Sequence, residues 1–241
     1  ILSNNIISRF AEYLDVSANT VRTYKTGIKV LIAYLNKHGV NTPNRENILN
    51  FKRYLVAEGK KSSTIALYLS SVRRFFSWCE SERIYPNIAQ GIKAPKQDKG
   101  HKRDCLTSQA VKDIMRGINR KSLEGKRNYA MIALMTCGGL RTVEVIRANV
   151  EDIRTLGDST VLYVQGKGHT DKKDFIKITP PVAEALREYF KARGHVSASE
   201  PLFSSLSRRN AGKRLTTRSI SGICKRAMRN AGYDSSEIIV R

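Results

Sequence analysis

The 241 residues carry 43 Lys and Arg against 21 Asp and Glu, a formal net charge of +22. An excess of that size, spread along the chain and not gathered in a tail, implies a polyanionic partner, nucleic acid first and an anionic membrane surface second. No apolar run approaches the roughly twenty residues needed to span a bilayer, and no secretory signal is read at the start. The four cysteines (Cys79, Cys105, Cys137, Cys224) and four histidines (His38, His101, His169, His195) are too scattered for a disulfide framework or a metal-ligand set. We therefore expect a cytoplasmic protein with reduced core thiols, no metal and no cofactor. Its length suits two compact domains or one large one. The first residue is Ile1 and not a methionine, so a fragment of a longer protein is expected.

Along residues 17–36, Val21, Tyr24, Ile28, Leu31, Ile32 and Leu35 recur at helical spacing, with Arg22, Lys25 and Lys29 on another face. After a turn at 39–43, the spacing of Ile48, Phe51, Tyr54 and Leu55 predicts a second helix that Gly59 ends. A third follows, with Ser62 or Ser63 as its cap and Ile65, Tyr68, Leu69, Val72, Phe75, Phe76 and Cys79 as its buried stripe. Lys60, Lys61, Arg73 and Arg74 add charge at its ends, and capping hydroxyls beside free N–H groups would suit a phosphate. Trp78 and the phenylalanines belong to the core. Residues 1–95 hold 14 Lys and Arg against 6 Asp and Glu, a net +8 that suffices to bind a duplex electrostatically. Any one of these cations also reads as part of a solvated face. Residues 94–103, with Lys102 and Arg103, lack apolar periodicity and form a basic linker.

The second half opens with Thr107 or Ser108 as a cap and Val111, Ile114, Met115 and Ile118 as a stripe. The apolar run Tyr129, Ile132, Ala133, Leu134 predicts a helix, which the pair Gly138-Gly139 breaks. Arg141 and Glu144 then start the next helix three residues apart, on one face, so the carboxylate can orient the arginine. A guanidinium held this way offers a planar fork to two phosphate oxygens; the same spacing also describes a surface ion pair of little worth. Residues 161–164 and 175–178 are β-prone runs joined by a basic tip containing Lys167 and His169. Lys167 lies between two glycines, which suits close approach to a ligand and a general-acid role as well as it suits a flexible turn. Thr179-Pro180-Pro181 begins another helix, with Thr179 as its cap, a proline in its first turn and the stripe Val182, Leu186, Tyr189, Phe190. The last helix covers 217–230, with Ile220, Ile223, Cys224, Ala227 and Met228 inward.

Three features in this order carry a resemblance: Gly139-Leu140-Arg141 followed by Glu144, the hairpin Gly166-Lys167-Gly168, and a helix that ends Arg229, Ala231, Gly232, Tyr233. Together, over residues 17–236, the chain resembles the tyrosine recombinase, or phage integrase, family. The resemblance implies a mainly α fold with a small β-sheet, built as a two-domain DNA clamp. An N-terminal helical core-binding domain (1–95) and a basic linker (96–105) would precede a mixed α/β catalytic domain (106–241). It implies site-specific recombination of a mobile element through a 3′-phosphotyrosine, without metal or nucleotide. Arg141 would grip the scissile phosphate, Glu144 would support it, and Lys167 would protonate the leaving 5′-hydroxyl. The DNA-binding set would be Arg22, Lys25, Lys60, Lys61, Ser62, Ser63, Arg73, Arg74, Lys102, Arg103 and His169. The partners implied are double-stranded DNA and further copies of the chain, as a dimer or tetramer. The family's His-x-x-Arg motif and the tyrosine that follows it do not occur in the 241 residues. Tyr233 is set aside as a substitute because it lies beside the helix end, with no second arginine or histidine to serve it. These residues alone are expected to bind DNA without cutting it, and the alternative reading is a non-cleaving remnant that occupies recombination sites.

Overall fold

The computed structural model describes residues 4–96, 105–166 and 168–233, and the chain forms two compact units, Ile1–Gly100 and His101–Arg241. In the first, α1 (Asn4–Tyr13), α2 (Ala18–Lys37), α3 (Arg45–Ala57) and α4 (Ser62–Ser81) enclose one core. Ser17 caps α2 by accepting the Thr20 N–H, and Asn44 and Asn47 cap α3 by exchanging side-chain and backbone bonds.

Helix α1 goes beyond the expectations from sequence. Its Ile6, Ile7 and Phe10 are buried, as is Leu14 just after it, and the Phe10 ring meets Phe75 edge-on at 5.3 Å and Trp78 at 5.4 Å. Helices α2 and α4 pack directly against each other. A Cβ added to Gly27 would lie 2.6 Å from Ser71 Oγ and 2.7 Å from Ser71 Cβ, so only glycine lets the two backbones meet here. The expected serine cap of α4 is absent. Lys61 is already the cap residue in extended geometry, and its side chain makes no capping bond. The helix thus begins at Ser62, one residue too early for either hydroxyl to reach the first-turn N–H groups.

The second unit contains α5 (Ser108–Arg116), α6 (Leu123–Gly138), α7 (Thr142–Arg147), a short 3-10 turn (Val150–Asp152), strands β1 (Ile153–Leu156), β2 (Ser159–Val164) and β3 (Asp174–Lys177), then α8 (Pro180–Arg193) and α9 (Thr217–Asn230). Six consecutive residues of α6, Ala130 to Met135, are buried, so this stretch of the helix is apolar on every side and lies in the core of the unit. The sheet is antiparallel in the order β1-β2-β3, and Leu162, 0% exposed, pairs with Ile153 on one side and Ile176 on the other. Strand β1, four mostly exposed residues, was not expected from sequence; it lacks the alternation that marks a half-buried strand.

Two smaller expectations are corrected. Thr179 precedes α8, but its side chain makes no capping bond; Pro180 has no N–H and fills the first position by its fixed φ. Of the four thiols, Cys79 and Cys224 are buried, whereas Cys105 and Cys137 are exposed and do not belong to a core.

Candidate functional site

The site is built where α6 stops. Gly139 adopts a left-handed φ of 63°, its N–H bonds to the Met135 carbonyl, and the Leu140 N–H bonds to the same oxygen. This reversal turns Leu140 into the core and leaves Arg141 as the residue that caps α7. Glu144, 6% exposed, reaches back so that one carboxylate oxygen accepts the Arg141 N–H at 2.7 Å and the other accepts from the Arg141 guanidinium at 3.1 Å. The reciprocal half of a capping box is missing because a guanidinium has no acceptor. The Arg141 side chain remains 62% exposed. Its remaining donors therefore face solvent from a backbone that is held by a buried acid, an arrangement able to receive an anion.

Arg147, in the last turn of α7, donates to the Gly166 carbonyl at 3.2 Å. That carbonyl also accepts the His169 N–H (3.3 Å), while Gln165 Nε2 donates to the His169 carbonyl (2.8 Å). His169 is exposed. Lys167 lies outside the described residues, as do Lys102 and Arg103. Further along the tip, Lys172 pairs with Asp152, whose second contact is the Asn149 N–H at 2.6 Å. Asn149 Oδ1 in turn accepts from Arg214 (2.6 Å), which also donates to the Ile146 and Ala148 carbonyls at the end of α7. Arg127, 4% exposed, donates to Asn128 Oδ1 and to the Ser204 carbonyl (3.0 Å); its burial lowers its pKa, and Glu124 partly offsets this. Sequence reasoning singled out none of Arg127, Arg147, Asp152, Lys172 or Arg214. Their partners are 19 to 77 residues away, except for the Asn149–Asp152, Arg127–Asn128 and Arg127–Glu124 contacts.

In the first unit, Arg22 is exposed and Lys25 half-buried on α2, Lys60 and Lys61 are exposed just before α4, and Ser62 and Ser63 occupy its first turn. Arg73 and Arg74 are exposed but have intramolecular neighbours: Arg73 donates to the Ile92 carbonyl at 3.4 Å, and Arg74 lies 5.8 Å from the Tyr13 ring centre. At the other end of the chain, the Tyr233 hydroxyl donates to Asp113 Oδ2 at 3.0 Å, and that bond raises the phenol's pKa. A phenol held in this way is a poorer nucleophile.

Residues 7–83 match the N-terminal SAM-like domain of phage integrases, and residues 104–238 match the phage integrase family. The chain belongs to the tyrosine recombinase, or phage integrase, family. Among curated relatives, a protein of Caldanaerobacter subterraneus subsp. tengcongensis assigned to the tyrosine recombinases is 29% identical over 89% of this chain and 73% of its own length. Tyrosine recombinase XerC of Chlamydia caviae is 27% identical over 96% of this chain and 81% of its own. For XerD of Listeria monocytogenes the match, 26% identical, spans 78% of this chain and 65% of that protein. Among solved structures, a lambda integrase dimer bound to a COC′ core site superposes with a TM-score of 0.72 at 19% identity, covering 95% of this chain and 81% of that one. XerH bound to its palindromic difH substrate gives 0.69 at 18%, over 88% and 63%. These likenesses establish the fold: mainly helical, with a small antiparallel sheet in the second unit. Among the described residues, no helix is long and apolar enough to cross a membrane.

Proposed function

We propose that this chain supplies the DNA-binding part and the phosphate-gripping half of the active site of a site-specific recombinase of a mobile element, acting on duplex DNA in the cytoplasm. The observation that carries the reading is Arg141: a permanently charged fork, 62% exposed, on a backbone held by buried Glu144. In strand cleavage a tyrosine oxygen forms a bond to phosphorus while the bond from phosphorus to the 5′-oxygen breaks. The arginine stabilises negative charge on the non-bridging oxygens, and Lys167 gives its proton to the departing 5′-oxygen. The nucleophile the family implies follows a His-x-x-Arg motif, which residues 1–241 do not contain. The charge of +22 supports a duplex as the polyanion, with Arg22, Lys25, Lys60, Lys61, Ser62, Ser63, Lys102, Arg103 and His169 as the contacts assigned to it. Arg73 and Arg74 join them when they exchange their intramolecular partners for phosphates. A Xer-type role uses the same chemistry, and the named XerC and XerD relatives support it as much as the phage-integrase matches support the mobile-element role. Lambda integrase has been seen as a dimer on a core site and as a tetramer on a Holliday junction, which supports a homo-oligomer on DNA here.

A second reading, DNA binding without cleavage, is favoured by the Tyr233–Asp113 bond. A nicked suicide duplex tests both. Protein expressed over its complete reading frame should form a denaturation-resistant adduct, and Arg141→Ala should abolish the adduct while binding persists. Binding without any adduct from the complete protein would select the second reading, and an adduct that survives Arg141→Ala would remove Arg141 from the site.

A further inference from the structure

We propose that Asp152 and Lys172, together with Arg147, are positioning residues that set where the hairpin presents Lys167 to the scissile phosphate. The inference rests on the recombinase reading above, and on contacts that flank Lys167 without involving it.

Nine residues, 165–173, join β2 to β3. The strand ladder ends at the Val164–Asp174 pair, so the ladder does not hold the tip. Two attachments do. On one side the Arg147 guanidinium holds the carbonyl of Gly166, the residue immediately before Lys167. On the other, Lys172 pairs with Asp152, whose side chain is 3% exposed. The neighbouring pair, Lys173 with Asp171, is a useful contrast: both side chains are exposed (81% and 47%), the regime in which ion pairs contribute little.

Asp152 differs because a buried carboxylate must be paired, and an apolar residue would fill the place at least as stably. What the ion pair adds is a defined register for the tip. The segment that carries Asp152 is itself fixed: Val150 N–H bonds to the Glu200 carbonyl, Glu151 N–H to the Ala198 carbonyl, and Asn149 Oδ1 accepts from Arg214. Helix α7 completes the link. Arg141 caps its start and Arg147 lies in its last turn, so six residues of rigid helix, about 9 Å, connect the phosphate grip to the hairpin attachment. Displacing the tip by an ångström would misalign a proton donor without unfolding anything, a change that costs about 100-fold in rate.

The test compares two substrates in the complete protein: an ordinary duplex, and one whose scissile 5′-oxygen is replaced by sulfur. When the sulfur–phosphorus bond breaks, the thiolate departs without needing a proton, so loss or misplacement of the acid no longer slows cleavage. Lys172→Met and Asp152→Asn should each slow cleavage of the oxygen substrate roughly 10-fold or more, a partial loss of the roughly 100- to 10,000-fold that a well-placed general acid contributes. Neither should slow the sulfur substrate by more than about 3-fold, and Lys172→Arg should keep near-normal rates on both, because the pair is retained. A variant that only loses folding or DNA binding would slow both substrates equally, and that result would overturn the proposal. Lys167→Ala serves as the reference. If its own ratio of sulfur to oxygen rates stays at the wild-type value, the assignment of Lys167 fails and this inference falls with it. If the Lys167→Ala ratio rises and the Lys172→Met ratio does not, the positioning role alone is refuted.

Discussion

Replacing Glu144 separates the two bonds that hold Arg141, and their contributions can be ranked from the structure. The carboxylate accepts the Arg141 N–H at 2.7 Å and the guanidinium at 3.1 Å. The guanidinium is 62% exposed, so solvent screens that contact and it contributes a few tenths of a kcal/mol at most. The backbone bond is a helix-start bond made by a 6% exposed acid, and losing such a bond costs about 1–2 kcal/mol. Glu144→Ala should therefore destabilise the second unit by about 1–2 kcal/mol. Glu144→Gln keeps an acceptor for the N–H and should stay within about 0.5 kcal/mol of the parent. Urea unfolding, read as a change in midpoint at constant slope, measures both. If Gln proves as costly as Ala, charge and not the backbone bond holds the arginine, and the reasoning is wrong. In cleavage, Ala should lose more than Gln, because only Ala frees the Arg141 backbone.

Other consequences follow from packing, burial and charge. Gly27→Ala drives a Cβ to within 2.7 Å of the Ser71 side chain and should destabilise the first unit by about 1–3 kcal/mol, a loss that Ser71→Gly in the same chain should partly reverse in a denaturation titration. Burial pushes the Cys79 thiol from 9.0 to about 12. The unfolded chain therefore loses this proton first, and the group's contribution to stability falls as pH rises from about 9 to 12. Cys79→Ala should flatten that part of the pH–stability curve, and an unchanged slope would refute the burial argument. Duplex affinity should fall steeply with salt, by about 0.9 log unit per log unit of salt for each phosphate neutralised, and a nearly flat dependence would contradict a binding face built on basic residues.

Local features were legible in the sequence wherever one short stretch held the whole signal. The stripes of α2, α3 and α4, the glycine break before Arg141, and the three-residue spacing to Glu144 all lie within a few turns of chain, and the structure shows each. Helix α1 had a readable stripe at Ile6, Ile7 and Phe10, but it is only ten residues long and earns its stability from Phe75 and Trp78, more than sixty residues away in sequence. The serine caps before α4 failed for a local reason: a hydroxyl acts as a cap only one residue before the helix, and Lys61 holds that place. Asp152 and Lys172 were invisible because nothing in either neighbourhood marks a pair that only the folding of the hairpin brings together.

The measurement closest to the central claim asks whether Arg141 acts on the charge of the scissile phosphate. A duplex with a methylphosphonate at that position lacks the negative charge on one non-bridging oxygen, so a cation there has less to stabilise. Arg141→Ala should lose about 100- to 1,000-fold or more in cleavage of the ordinary phosphate, and far less on the methylphosphonate. An equal loss on both substrates would mean that Arg141 does not meet the charge that develops at phosphorus, and the site would have to be assigned elsewhere.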